Sequence, residues 1–378
     1  MLSPSASETE EPGVAHPLEF IGMISHRFQS EIHPPSGPVV DPGYIRSFAK
    51  AHEDAGFDRI LVAWGSTSPD ALLVASQAAA ATDRIGFMVA HRPGFIAPTL
   101  AARQFATFDQ LTGGRAAIHV ISGGSPTEQK RDGDYLPHDE RYARSEEYIA
   151  LLKRLWTEAK PFDHAGKYYR FEQGFAEVKP LQQPHIPVFF GGSSDIAIEI
   201  AGRQADVYAF WGETLDQARE TIARVRTSVA KAGRDPAAIR FSLSFRPVLA
   251  DTEEAAWARA DRIIARIRDL RPTGSGGSKP ESVGSQRLLE AAAGGKVRDK
   301  RLWTEVAAAV GAGSNTTALV GTAEQVADSL ADYAALGIDT FLIRGFDPLE
   351  DVAGYGRDLL PAVRAAVAAR GILPVAAE

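Results

Sequence analysis

Gly191-Gly192-Ser193-Ser194-Asp195 sets two glycines and two hydroxyls where an apolar run gives way to a helical pattern. Open amides at a helix N-terminus, beside residues without Cβ bulk, suit a phosphate group. Serine or aspartate at that spot is also an ordinary helix cap, so the motif alone leaves both readings open. Other binding groups stand where apolar runs stop. His26 and Arg27 follow Leu18 to Ile24, Trp64 follows Ile60 to Ala63, His91 follows Ile85 to Ala90, and Ser122 follows Ala116 to Ile121. Trp211 follows Val207 to Phe210, Arg246 interrupts Phe241 to Leu249, and Arg344 follows Thr340 to Ile343. A charge that ends an apolar strand is costly to bury unpaired. Arginine's planar fork fits an oxyanion, which makes Arg246 and Arg344 candidates for one; pairing with a carboxylate is the plainer alternative. Trp64 and Trp211 suit a pocket wall or core, and Ser122 a site or a plain turn. His138 reads as a helix cap. The chain has no cysteine, which excludes thiol nucleophiles and cysteine zinc sites.

These groups need elements that bring them to one place. From Ile85 to Ser125 a short apolar run, a helical pattern opened by Pro98 and closed by Gly113-Gly114, and a second apolar run make a βαβ unit with parallel strands. The same grammar recurs. Asp41 caps a predicted helix from Pro42 to Ala55 before the run at Ile60, and further runs at Val188 to Phe190 and Phe241 to Leu249 bring the strands to about eight. We read an α/β fold, a (β/α)8 TIM barrel with inserted segments, over residues 18–370. A doubly wound sheet is the rival, but no GxGxxG follows the first strand. One insert, 161–187, reads as a hairpin turning at Ala165-Gly166. The other, 271–315, opens on RPTGSGGSKPESVGS and reads as an unstructured, mobile lid near the phosphate end, or else a tolerated surface insertion.

A formal charge of −7 argues against a nucleic-acid footprint. Residues 1–17 hold acidic residues and prolines without a long apolar run, so we expect a flexible leader, neither signal peptide nor membrane anchor, and 371–378 as a tail. The lack of cysteine fits the cytoplasm.

Several long segments, RPGFIAPTLAARQFATFDQLTGGR, HDERYARSEEY, PLQQPHIPVFFGGSSD, DVYAFWGE and ALVGTAEQVADSLADYAALGIDTFLIRGF, resemble in order those of the bacterial-luciferase-like flavin monooxygenases, within them the two-component alkanesulfonate monooxygenases. The resemblance runs from about Leu18 to Val363. It implies reduced FMN supplied by a separate NAD(P)H:FMN reductase, dioxygen as co-substrate, no metal, and a homodimer or homotetramer. It also implies that Gly192, Ser193, Ser194 and Tyr142 hold the flavin phosphate, with Trp64, Ala90, His91 and Ser122 along the flavin; Tyr142 read locally could simply pack its helix. Arg246, Arg344 and Trp211 would hold the sulfonate, and His26 and Arg27 would gate the site or move a proton. The expected reaction cleaves a carbon–sulfur bond to sulfite and an aldehyde.

The substrate half departs from that pattern. Where arginine and then histidine are expected at the seventh strand's end, the chain has Ser244 and Arg246; Ser68 replaces a cysteine, GAGSNTTALVG lacks an arginine, Arg344 replaces a small residue, and a tyrosine is displaced to Tyr355. A polar sulfonate such as sulfoquinovose therefore stands beside simple alkanesulfonates. The alternatives are a sulfone monooxygenase, a deazaflavin-dependent dehydrogenase and a non-catalytic flavin-binding protein.

Overall fold

Eight parallel strands close into a barrel in the computed structural model, which describes residues 16–270 and 280–372. The strands are β1 (Glu19–Ile24), β2 (Arg59–Val62), β3 (Gly86–His91), β4 (Ala116–Val120), β5 (Val188–Gly191), β6 (Val207–Trp211), β7 (Arg240–Phe245) and β8 (Thr340–Ile343). Each pairs with its neighbours in sequence, and β8 closes on β1 with Glu19 opposite Thr340. The expected TIM barrel is therefore the observed fold. Most of the expected leader and tail lies outside the described residues, as does the glycine-serine run from 271 to 279.

Local chemistry explains the punctuation. Asp41 accepts from the Tyr44 amide at 2.9 Å and starts the helix Pro42–Asp54, as its sequence predicts. Gly113 and Gly114, at φ of 68° and 84°, end the helix Pro98–Leu111 in a conformation that other residues avoid. The hairpin before β5 forms from Phe162–Ala165 and Arg170–Gly174.

Strand alternation sorts the interior into layers. At the N-terminal end, Glu19 pairs with Arg59 at 2.9 Å and Arg240 at 3.1 Å, and Arg240 also pairs with Asp339 at 3.0 Å. Above this ionic plug lies an apolar layer of Ile21, Leu61, Met88, Ala117, Phe189, Val207 and Leu342. Two residues further along the strands come Met23, Ala63, Ala90, His119, Gly191, Ala209, Ser244 and Arg344. Most of these are small, so the space opens only at the C-terminal mouth.

Two expectations need correction. Phe241 to Leu249 is not one strand, because Pro247 has no N–H and the Arg246 amide is drawn to the Thr317 carbonyl at 3.0 Å. Val248–Leu249 instead joins a side sheet with Ala318–Gly321, Leu302–Trp303 and Val297–Arg298. The insert is also not structureless from residue 280 onward: it contains the helices Val283–Ala293 and Glu305–Val310 and two strands of that sheet. Its apolar residues Trp303, Val306 and Leu288 are fully buried, and that burial orders it.

Glu53 ties the first helix to the turn before β3, accepting from the amides of Asp83, Arg84 and Ile85 at 2.9, 2.7 and 3.0 Å. Burial works to raise its pKa, but the amides of Arg84 and Ile85, with Lys50, pull it down to about 2. A folded pKa below the unfolded value near 4.5 means stability that is full above 4.5 and lost as pH falls towards 2. The melting-temperature gap between wild type and Glu53→Gln is thus expected to shrink between pH 4.5 and 2. A gap independent of pH would show that the carboxylate's charge is not what it contributes.

Candidate active site

At the mouth, β5 ends in the glycine-serine turn. Gly192 has φ 134°, and a Cβ there would stand 2.4 Å from Tyr142 Oη and 2.8 Å from Ala197 Cβ. Tyr208 donates to the Gly192 carbonyl at 2.7 Å and fixes that turn. The helix Asp195–Gln204 begins without a side-chain cap, and Ser194 Oγ, buried beside Tyr142, has no partner of good geometry. Asp195 turns outward to Arg224 at 2.6 Å, leaving the amide end clear of its charge. Burial raises the Tyr142 phenol to about 12, so it stays a neutral donor. An unused hydroxyl, a phenol and open amides around a cradle that a Cβ would fill form a donor set for a phosphate. Ser194 occupies the cap position of its helix without a side-chain bond to the helix amides.

The second group gathers at the ends of β7 and β8. Arg246 is fully buried and donates from Nη2 to Glu31 Oε2 at 2.7 Å and to the Gly345 carbonyl at 2.8 Å. Its guanidinium lies 3.6 Å from the Phe346 ring centroid. Arg344 donates from Nη2 to Glu31 Oε1 at 2.6 Å. Both arginines, far apart in sequence, thus meet on one carboxylate. Burial and the Arg344 charge push the Arg246 pKa down to about 10, which leaves it charged at neutral pH. Burial opposes the charge on Glu31, yet the two guanidiniums hold its carboxyl far below the usual range. Arg246 Nε and Nη1 and Arg344 Nε are buried without partners, as are both side-chain amide atoms of Asn315, whose main-chain carbonyl accepts from Arg344 at 3.5 Å, and Oγ1 of the adjoining Thr316. Asn315 and Thr316 stand in the segment where an arginine was expected. Tyr355 is buried nearby but donates to the Pro247 carbonyl at 2.6 Å.

The insert bridges these two groups. A Cβ on Gly284 would lie 3.4 Å from Ser193 Oγ and from the Trp211 ring, and Trp211 packs with Leu288, Ala307 and Ala312. Arg287 grips Glu213, just past β6, through Nε at 2.7 Å and Nη2 at 2.9 Å. Glu213 is 2% exposed, so removing its partner should cost on the order of 3 kcal/mol. Arg287→Ala is expected to lower the melting temperature and speed amide exchange across Val283–Ala293. Unchanged exchange there would show that other contacts hold the helix.

The remaining expected residues lie elsewhere around the mouth. Trp64 stacks on Phe95, with ring centroids 5.7 Å apart, and receives the Arg92 guanidinium at 4.1 Å. With Ala90, His91 and Phe105 it lines a cavity of about 160 Å³. Alternation turns His91 away from the barrel interior: it donates to Tyr148 Oη at 2.7 Å, and burial lowers its pKa to about 4. Ser122 likewise faces the helix layer, on Ser145 Oγ at 2.8 Å. His91 and Ser122, expected along the flavin, thus make their side-chain hydrogen bonds to the helix layer. His26 turns to the Val39 carbonyl and Arg27 to Gln29 at 3.3 Å, both within the loop that carries Glu31. His138 pairs with Asp139 at 2.7 Å rather than capping its helix, whose cap position is Pro137. A wider recess of about 570 Å³ lies outside the barrel between Asp195–Gln204 and Leu215–Lys231, but its Arg203 and Arg224 are already paired with Glu146 and Asp195. Sequence reasoning missed Glu31, Asn315, Thr316 and His119. His119 points into the barrel at the mouth's floor, where burial lowers its pKa to about 4 and Nδ1 has no partner.

Residues 18–340 match the luciferase-like monooxygenases, and the chain belongs to that family. Its fold is similar to that of the EDTA monooxygenase EmoA from Chelativorans sp. BNC1, at 20% identity and a TM-score of 0.76 over 95% of each chain. It is also similar to the riboflavin lyase RcaE, solved with modified FMN and riboflavin, at 22% identity and a TM-score of 0.75 over 95% of this chain and 93% of that one. An F420-dependent secondary alcohol dehydrogenase shares the fold at 18% identity and a TM-score of 0.67, over 92% of this chain and 99% of that one. Among the described residues no helix is long and apolar enough to cross a membrane.

Proposed function

We propose that this protein is a monooxygenase that takes reduced FMN from a separate NAD(P)H:FMN reductase and cleaves the carbon–sulfur bond of a small organosulfonate. Per turnover, sulfonate, dioxygen and reduced FMN give aldehyde, sulfite, oxidised FMN and water. The bound flavin supplies the two electrons that activate dioxygen. Tyr142, Gly192, Ser193 and Ser194 bind its phosphate, Arg246 and Arg344 hold the sulfonate, and Trp211 with the helix above it keeps water out. The observation that carries this reading is the meeting of Arg246 and Arg344 on Glu31 at the ends of β7 and β8, with guanidinium nitrogens left unpartnered. Asn315 and Thr316 favour a hydroxylated sulfonate, such as a sugar sulfonate, over a plain alkyl one. We place the enzyme in the cytoplasm as a homodimer or homotetramer.

The test is an aerobic assay with reduced FMN and a panel of alkyl and hydroxylated sulfonates, reading out sulfite. Sulfite from none of them, with reduced FMN bound, would end the desulfonation reading. Turnover with reduced F420 and no oxygen would instead favour a deazaflavin-dependent dehydrogenase, which the shared fold makes the second reading.

A further inference from the structure

Two guanidiniums and one carboxylate meet at the ends of β7 and β8, so the group carries one net positive charge. Beside it, Asp347 and Asp351 share Arg259 at 2.7 and 2.6 Å and Asp347 also meets His33, so with His33 neutral this neighbouring cluster carries one negative charge and further disfavours a second negative charge on the ligand. Glu31 does not fill the site. It takes only the Nη2 hydrogens, while Arg246 Nε and Nη1, Arg344 Nε, Asn315 and Thr316 keep free hydrogen-bonding capacity. Side-chain exposures of 21% at Arg344 and 18% at Glu31 leave the group partly open to solvent. Arg246 and Asn315 are more than nine-tenths buried, so their unmet capacity is not satisfied by bulk water.

We propose that Glu31 determines specificity by acting as the fixed counter-ion of Arg246 and Arg344, so that the pocket takes a singly charged anionic head group and rejects a doubly charged one. A monoanion neutralises the remaining charge, whereas a dianion would bring an excess negative charge beside the Glu31 carboxylate. Asn315 and Thr316, each able to donate and accept, add recognition of hydroxyls next to that head group. This rests on the reading of the arginines as the anion site, and it names the charge of the substrate.

The experiment measures binding of methanesulfonate and of sulfate to the full chain without flavin, by calorimetry at neutral pH and constant ionic strength. The two ions are close in shape and differ by one charge. Wild type is expected to prefer methanesulfonate, and Glu31→Gln to reverse the preference, with sulfate binding gaining about tenfold from the removed charge. An unchanged preference in folded Glu31→Gln, or a wild type that prefers sulfate, overturns the proposal. Should Glu31→Gln not fold, wild type is compared with Glu31→Asp, which keeps the charge; a preference for sulfate in either overturns it equally. The functional reading fails separately. A protein with the expected charge preference that yields no sulfite retires desulfonation and leaves the role of Glu31; sulfite release without that preference does the opposite.

Discussion

Arg246→Ala or Arg344→Ala is expected to weaken capture of a sulfonate about ten- to a hundredfold, since one charge-assisted contact is worth roughly 1.5–3 kcal/mol. Affinity for FMN should barely change, because the cradle proposed for its phosphate lies on β5 and Tyr142. The two variants should differ in stability. Arg344 is partly exposed, whereas Arg246 is fully buried on Phe346 and bonded to the Gly345 carbonyl. Its loss leaves Glu31 with one partner and opens a hole beside an aromatic ring, so Arg246→Ala should melt earlier. Sulfite release against substrate concentration, with an FMN titration of each folded variant, separates these effects. Wild-type sulfite kinetics in both variants would remove the arginines from the site, and lost FMN affinity would assign them to the cofactor.

Gly192→Ala is expected to raise the dissociation constant for FMN by about a hundredfold, because backbone strain of roughly 1–3 kcal/mol adds to a steric conflict. The new Cβ would lie 2.4 Å from Tyr142 Oη, so the phenol or the turn must move, and both belong to the cradle. The diagnostic comparison is FMN against riboflavin, which lacks the phosphate. Wild type should bind FMN far more tightly, and the variant should lose most of that advantage while its riboflavin affinity changes little. Equal losses for both flavins would mean that Gly192 supports the ring system or the fold rather than the phosphate. Tyr142→Phe, which removes the hydroxyl without adding bulk, should show a smaller loss of the same kind.

By itself the sequence determined the barrel, because its signals are local: apolar runs of strand length, glycine pairs that close helices, and Asp41-Pro42 at a helix start. The positions of Gly192, Ser194, Arg246 and Arg344 at strand ends were legible for the same reason, since a parallel barrel carries all such ends to one mouth. What faces that mouth was decided only in three dimensions. His91 and Ser122 end the right strands yet point outward, because alternation within β3 and just beyond β4 gives the interior to Ala90 and His119. The helix Val283–Ala293 was hidden in a glycine-serine segment, because its order comes from burying Leu288 against Trp211 and pairing Arg287 with Glu213. Glu31 left no mark at all, being one acidic residue in a polar loop whose partners lie more than 200 residues away. Pattern and propensity act over one turn or one strand, while the charge of this pocket depends on contacts that exist only once the barrel has closed.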